Sequence, residues 1–176
     1  GFRIIFASAA EKSPHRFDLS NWGIEEASVA LNCQSFATQL QQWQPAVVLF
    51  DRFMLEEQFG WWVDDVCPQA LKLLDSEDLH CLRFARQQAF SANRAVTAAD
   101  LRSELAMREV AAILRCDLTL TISMAEHRLL TEFYQVPVSQ LLYCPFLLDD
   151  VTVDTSVTFA TRRHISFIGN FRHEPN

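Results

Sequence analysis

Short apolar segments alternate along the chain with longer stretches in which apolar residues recur every three or four positions. We predict that the short segments are β-strands, at 2–8, 27–32, 46–50, 71–74, 118–122 and 141–144. The longer stretches have the spacing of amphipathic helices. This alternation is typical of an α/β domain, so we predict a Rossmann-like parallel sheet with helices on both faces.

Four of these stretches are predicted to be helices from their apolar faces and capping residues. Thr97 and Asp100 have the spacing of a capping box, as do Ser123 and Glu126. Pro68 is expected to end the first helix. The faces predicted to be buried comprise Leu55, Phe59, Trp62, Val63 and Val66, then Leu79, Leu82 and Ala85, then Met107, Val110, Ala111 and Leu114, and last Ala125, Leu129 and Phe133.

A polar segment rich in Thr, Ser and Asp divides the chain. We predict an N-terminal domain at 1–148, a linker at 149–163 and, at 164–176, the first strand of a second domain, with the strand itself over 164–171. Glycine is scarce, and no Gly-rich turn follows the first predicted strand. The expectation is therefore that the first strand of the sheet lies upstream. Either the 164–171 strand or a second copy of the chain would then fill its place, and the second of these alternatives predicts self-association.

Composition and charge exclude several classes of partner. Hydrophobic residues make up 49% of the 176 residues, which is sufficient for a substantial core, and the net charge of -7 argues against nucleic-acid or anionic-membrane binding. The five cysteines are dispersed without metal-ligand spacing, so reduced thiols, a cytoplasmic location and no metal site are expected. No apolar run approaches the roughly 18 residues of a membrane-spanning helix.

Polar residues follow several of the predicted strands, where open parallel sheets bind ligands. Asp51 and Arg52 come after the 46–50 strand, Ser123 after the 118–122 strand, and Asn170 near the end of the last. Glu56 and Glu57 lie one turn into the next helix and are interpreted either as a cleft wall or as solvated helix carboxylates.

The segment at 73–83 is the richest in titratable groups. Asp75, Asp78, His80 and Arg83 lie where a strand ends and a helix begins. A His there can accept a proton from a hydroxyl group or bind a sugar, and Asp78 would be favoured by the helix dipole. The alternative is structural, with Asp75 or Ser76 as a helix cap and Arg83 paired with a neighbouring acid such as Glu77.

Three long strings resemble a bacterial group 1, family 4-like, glycosyltransferase family of two-domain GT-B architecture. They are FDRFMLEEQFGWWV at 50–63, LLDSEDLHCLR at 73–83 and FIGNFRHEPN at 167–176. The shorter strings LTLTIS at 118–123 and YCPFLL at 143–148 lie where that family has its last N-terminal-domain strands. The resemblance therefore covers nearly the whole chain.

The resemblance implies an enzyme that transfers a sugar from a nucleotide-sugar donor to an acceptor, without a metal or other cofactor. It implies that the acceptor wall is lined by Asp51, Arg52, Asp75, Asp78, His80 and Arg83. We predict that His80, Asp75 and Asp78 are the catalytic residues and, from its place after a strand, that Ser123 also binds substrate. Gly169, Asn170 and His173 would begin the opposing, donor-side wall. A retaining reaction assisted by the donor phosphate is usual in such enzymes.

The chain also departs from the family pattern. It has neither the Gly-rich loop nor the charged residues that grip the donor in the second domain, so we expect these 176 residues to be inactive alone. One alternative is a non-catalytic binding or scaffold domain with the same fold. Another is a receiver domain phosphorylated on Asp51, although the acidic pair and late Lys that such a domain needs are not apparent.

Overall fold

A computed structural model describes residues 1–14, 16–147 and 158–166, and its elements follow the predicted alternation. The six strands occur close to their predicted positions. The segment at 35–43, rich in Gln, is an additional helix that the apolar pattern did not predict. The elements are β1 (Ile5–Ser8), β2 (Glu25–Ser28), α1 (Ser35–Trp43), β3 (Val47–Asp51), α2 (Phe53–Val66), β4 (Leu71–Asp75), α3 (His80–Ser91), α4 (Glu104–Arg115), β5 (Leu118–Thr121), α5 (Met124–Arg128) and β6 (Leu141–Tyr143).

The strands form two parallel sheets. β3, β4, β5 and β6 lie side by side in that order, and β1 pairs with β2 in a separate two-stranded sheet. In the larger sheet the register aligns Phe50 with Leu74, Leu74 with Thr119, and Thr119 with Leu141. The predicted α/β class with a Rossmann-like parallel sheet is confirmed.

One hydrophobic core joins the helices to one face of the larger sheet. All five helices or their flanking turns contribute to it, and the strands contribute the aligned row that contains Phe50, Leu74 and Leu141. Val63, Leu74 and Ile113 have no exposed surface. We call this the core face of the sheet.

The opposite face of the larger sheet carries aliphatic side chains that belong to no core cluster of the described residues. Their exposure varies, and Leu49 and Leu71 are more than half exposed, at 55% and 54%. We call this the bare face, and it comprises Val47, Leu49, Leu71, Leu73, Leu118, Leu120 and Leu142.

Two predicted helix faces are only partly correct, since Val110 and Leu129 pack against the core but other predicted residues do not. In α4, Met107 and Leu114 are exposed, and the buried side chains are instead Ala106, Glu109, Ala112 and Ile113. Near α5, Ala125 is exposed, whereas Glu126 and Leu130 are buried. In both cases the buried face contains a carboxylate, which a pattern of apolar residues cannot include.

The two predicted capping boxes have different outcomes. The Ser123 hydroxyl accepts a hydrogen bond from the Glu126 amide and caps α5, as predicted. Thr97 does donate to Asp100, but this pair precedes a short 3-10 turn, and α4 begins later with Ser103 as its cap.

The C-terminal part is described only at 158–166. It contains a 3-10 turn at Phe159–Thr161, and its residues are exposed, with no strand at 164–166. The remainder of the predicted linker and of the 164–171 strand lies outside the described residues. None of the described helices has the length and apolar character needed to cross a bilayer.

Candidate functional site

Asp51 and Asp75 are brought together at the carboxyl edge of the sheet. They are register partners at the last positions of β3 and β4. Arg52 follows with a φ of 69° and donates its amide to the Asp75 carbonyl over 2.8 Å. Its guanidinium pairs with Asp51, with Nε 3.0 Å from Oδ1. The predicted grouping of these three residues at a strand exit is therefore present.

Glu77 joins this acidic edge, although sequence reasoning considered it only as an ion-pair partner. Its amide donates to Asp75 Oδ1 over 3.2 Å, and its own φ is 55°. Burial and the nearby charges of Asp75 and Asp51 raise the pKa of the Glu77 carboxyl. The edge consequently concentrates negative charge, with Arg52 as the nearest compensating cation.

His80 is the first residue of α3, and its ring is nearly enclosed. The side chain is 11% exposed, and the ring packs edge-on against Phe53 at a centroid distance of 5.5 Å. Nδ1 is buried and has Glu109 Oε1 as its neighbour at 3.5 Å, the outer limit of a hydrogen bond. Nε2 is then the ring nitrogen left for a ligand.

Glu109, on α4, holds this arrangement together. Its carboxylate is almost fully buried and accepts the backbone amides of His80 and Cys81, both at 2.9 Å, so it caps α3 from a neighbouring helix. Burial alone would raise the pKa of Glu109, but the hydrogen bonds from His80 and Cys81 outweigh it and lower the pKa. The carboxylate is therefore ionised, and it faces Nδ1 of His80.

A depression of about 190 Å³ opens beside the His80 ring. Its lining is mainly apolar, with two polar side chains in addition to the histidine. Asp51 and Asp75 are not among the lining residues, so the carboxyl edge and this depression are separate features. The lining residues are Phe53, Met54, His80, Arg83, Phe84, Gln87 and Leu105.

Asp78 and Arg83 neutralise each other at the rim. Arg83 Nη1 lies 2.9 Å from both carboxylate oxygens of Asp78. The structural alternative for Arg83 is thus partly correct, with Asp78 rather than Glu77 as its partner. A ligand that uses either side chain as a charge must compete with this pair.

Other predicted site residues have structural roles or lie outside the described residues. Ser123 is the α5 cap described above. Glu56 is buried against Arg115, with its Oε1 2.9 Å from Nε, and Glu57 pairs with Arg108. The described ranges contain no cluster of His, Cys, Asp or Glu arranged to hold a metal. Gly169, Asn170 and His173 lie outside the described residues.

Sequence reasoning missed Glu109, whose partner His80 is 29 positions away. The sequence signal for this role was a single carboxylate, Glu109, among the regularly spaced apolar residues of α4.

Comparison with known protein families finds no matching family model, and a search of the curated proteins finds no matching relative.

Proposed function

We propose that this chain is the acceptor-side part of a glycosyltransferase that uses a nucleotide-sugar donor. The observation that carries the proposal is His80, whose backbone amide is held by the buried Glu109 carboxylate and whose Nδ1 lies 3.5 Å from it, at the edge of a depression. The parallel sheet supports it, because α3, which begins with His80, follows the carboxyl end of β4. The resemblance of three long strings to a glycosyltransferase family supports the substrate class.

In this proposal His80 receives the acceptor hydroxyl. In the neutral ring with its proton on Nδ1, Nε2 carries a lone pair that can accept a hydrogen bond from that hydroxyl. The hydroxyl oxygen then bonds to the anomeric carbon of the donor sugar as the bond to the nucleotide phosphate breaks. In the retaining route that the resemblance implies, the departing phosphate takes the hydroxyl proton, so His80 orients the nucleophile.

The test is sugar transfer by the natural full-length protein, assayed across nucleotide-sugar donors and glycan acceptors. We expect His80→Ala to lower kcat/KM by about 100-fold, as loss of an orienting contact does. Gln88→Ala, an exposed change on the same helix, should leave the rate unchanged. Equal activity of the His80→Ala variant and the wild type would contradict the assignment.

A non-catalytic sugar-binding or scaffold domain is the second candidate. The observation that favours it is that Arg52 and Arg83 are already paired with Asp51 and Asp78, which leaves little free charge for a phosphate. Saturable binding of a glycan without turnover of any nucleotide sugar by the full-length protein would support this candidate.

A further inference from the structure

The depression beside His80 is small, and its walls are mostly hydrocarbon. Its volume of about 190 Å³ is below the roughly 300–1,000 Å³ of sites for larger ligands, whereas an apolar cavity of about 150 Å³ holds one benzene ring. The lining residues with apolar side chains are Phe53, Met54, Phe84 and Leu105. The depression therefore has room for a single six-membered ring, and its walls suit an apolar one.

Two phenylalanines provide aromatic surface next to the histidine. Phe53 is 3% exposed and its ring meets the His80 ring edge-on, so packing fixes its position. Phe84 lies four residues after His80 on the same face of α3, and 42% of its surface is exposed. A ring that enters the depression covers part of Phe84 and removes this apolar surface from water.

The depression offers little to an ionic ligand. Among the described residues that line it, Arg83 carries the one permanent charge, and its Nη1 lies 2.9 Å from both carboxylate oxygens of Asp78. A phosphorylated or carboxylated ligand must therefore displace Asp78 before it can use Arg83. The lining consequently favours an uncharged ligand.

The polar groups of the lining are also too few for a sugar ring. A pyranose carries several hydroxyl groups, and each of them needs a new partner when it leaves water. Apart from the paired Arg83, the described lining residues that can serve are His80 and Gln87. A ring with one hydroxyl group needs only Nε2 of His80.

We propose that the acceptor presents to His80 the hydroxyl group of an uncharged, apolar ring, as a phenol does, with the ring packed against Phe84. In the transfer step the hydroxyl oxygen bonds to the anomeric carbon. The bond between that carbon and the donor phosphate breaks, and the phosphate leaves with the hydroxyl proton. The role of the ring as an acceptor rests on the proposed function, whereas its binding in the depression does not.

Binding of 4-methylphenol to the natural full-length protein, followed by NMR, tests the depression. We expect a Kd of about 1 mM, which is typical of so small a ligand. Phe84→Ala should weaken binding about tenfold, because an aromatic contact is lost. Phe90→Ala, the same change on the same helix at a position that is 86% exposed and outside the lining, should leave the Kd unchanged. Absence of binding, or equal Kd values for the two variants, would overturn the proposal.

Methyl glucoside, an uncharged sugar, tests the preference for an apolar ring. It should bind much more weakly than 4-methylphenol. Gln87→Leu removes the amide that a sugar would need and should leave the Kd of 4-methylphenol unchanged or lower it. Tighter binding of methyl glucoside than of 4-methylphenol, with loss of that binding in Gln87→Leu, would overturn the proposal.

A transfer assay separates this inference from the proposed function. With nucleotide-sugar donors and 4-methylphenol, we expect the aryl glycoside as product, at a rate that Phe84→Ala lowers and Phe90→Ala does not. Transfer to a glycan but not to 4-methylphenol would overturn this inference and leave the proposed function in place. Binding of 4-methylphenol without transfer to any acceptor would overturn the proposed function, and with it the role of the ring as an acceptor.

Discussion

Glu109 shows how one buried carboxylate can serve two purposes. It satisfies two amides at the start of α3, and it places a negative charge next to Nδ1 of His80. Both roles require the Glu109 carboxylate to lie inside the core, where a charge without a partner would destabilise the fold. The cost is offset by hydrogen bonds, which is why the pKa of Glu109 is lowered despite its burial.

We expect Glu109→Gln to destabilise the chain by about 2 kcal/mol at pH 7, since one amide of α3 loses a charged acceptor. A lowered native pKa contributes stability that is fully present above the unfolded pKa and is lost as pH falls through the native pKa. The difference between variant and wild type should therefore shrink on acidification. Urea denaturation at pH 7 and at acid pH measures it, with exposed Glu132→Gln as the control. A difference independent of pH would contradict the charged role of Glu109.

Gly60 provides a second test at the residue scale. A Cβ added at Gly60 would lie 2.6 Å from Glu56 Oε1, and Glu56 is fixed by Arg115. In a Glu56→Ala background, Gly60→Ala should stabilise α2 by about 1 kcal/mol through helix propensity. In the wild type most or all of this gain should be lost to the clash. A double-mutant cycle measured by denaturation reports the coupling, and equal effects in both backgrounds would show that Glu56 moves freely.

At the scale of elements, the strands could be predicted because buried parallel strands are continuous apolar runs. The start of α4 could not, because Thr97 and Asp100 have the spacing of a capping box but close a turn that is also tied to Arg94. Helix α1 was missed because its Gln-rich sequence buries only Phe36, Ala37 and Leu40.

Because Ser103 caps α4, replacing it by alanine should change the free energy of unfolding, whereas the same change at an exposed serine should not. Ser103→Ala removes the hydroxyl that accepts the Ala106 amide and should cost about 1 kcal/mol of unfolding free energy. Ser139→Ala, at an exposed position, should cost nothing measurable. The denaturant midpoints of the Ser103→Ala and Ser139→Ala variants are compared. Equal midpoints would contradict the assignment of Ser103 as the cap of α4.

At the scale of the whole molecule, the sequence could place residues on one edge of the sheet but could not pair them across the fold. Asp51 and Asp75 were predicted to meet because parallel strands end at the same edge, and they do. The pairing of His80 with Glu109 depends on how α3 packs against α4, which no local pattern reveals.

The reactivity of the cysteine thiols provides a test of this packing. Cys33 is exposed, and hydrogen bonds from Ser35 lower its thiol pKa, whereas burial raises the pKa of Cys81 and of Cys116 to about 12. At pH 8 a thiol reagent should therefore modify Cys33 quickly and reach Cys81 and Cys116 only after unfolding. Cys33→Ser should remove the fastest phase and leave the slower labelling of the partly exposed Cys144. Rapid native-state labelling of Cys116 would contradict the core described above.

The amide of Arg52 joins the turn after β3 to the carbonyl that ends β4. The spacing between the Asp51 and Asp75 backbones is consequently fixed before any ligand arrives. For a ligand that bridges these carboxylates, only the side-chain torsions of Asp51 and Asp75 remain to adjust the interval between them. The site would then distinguish such ligands more by the distance between their two binding groups than by their charge.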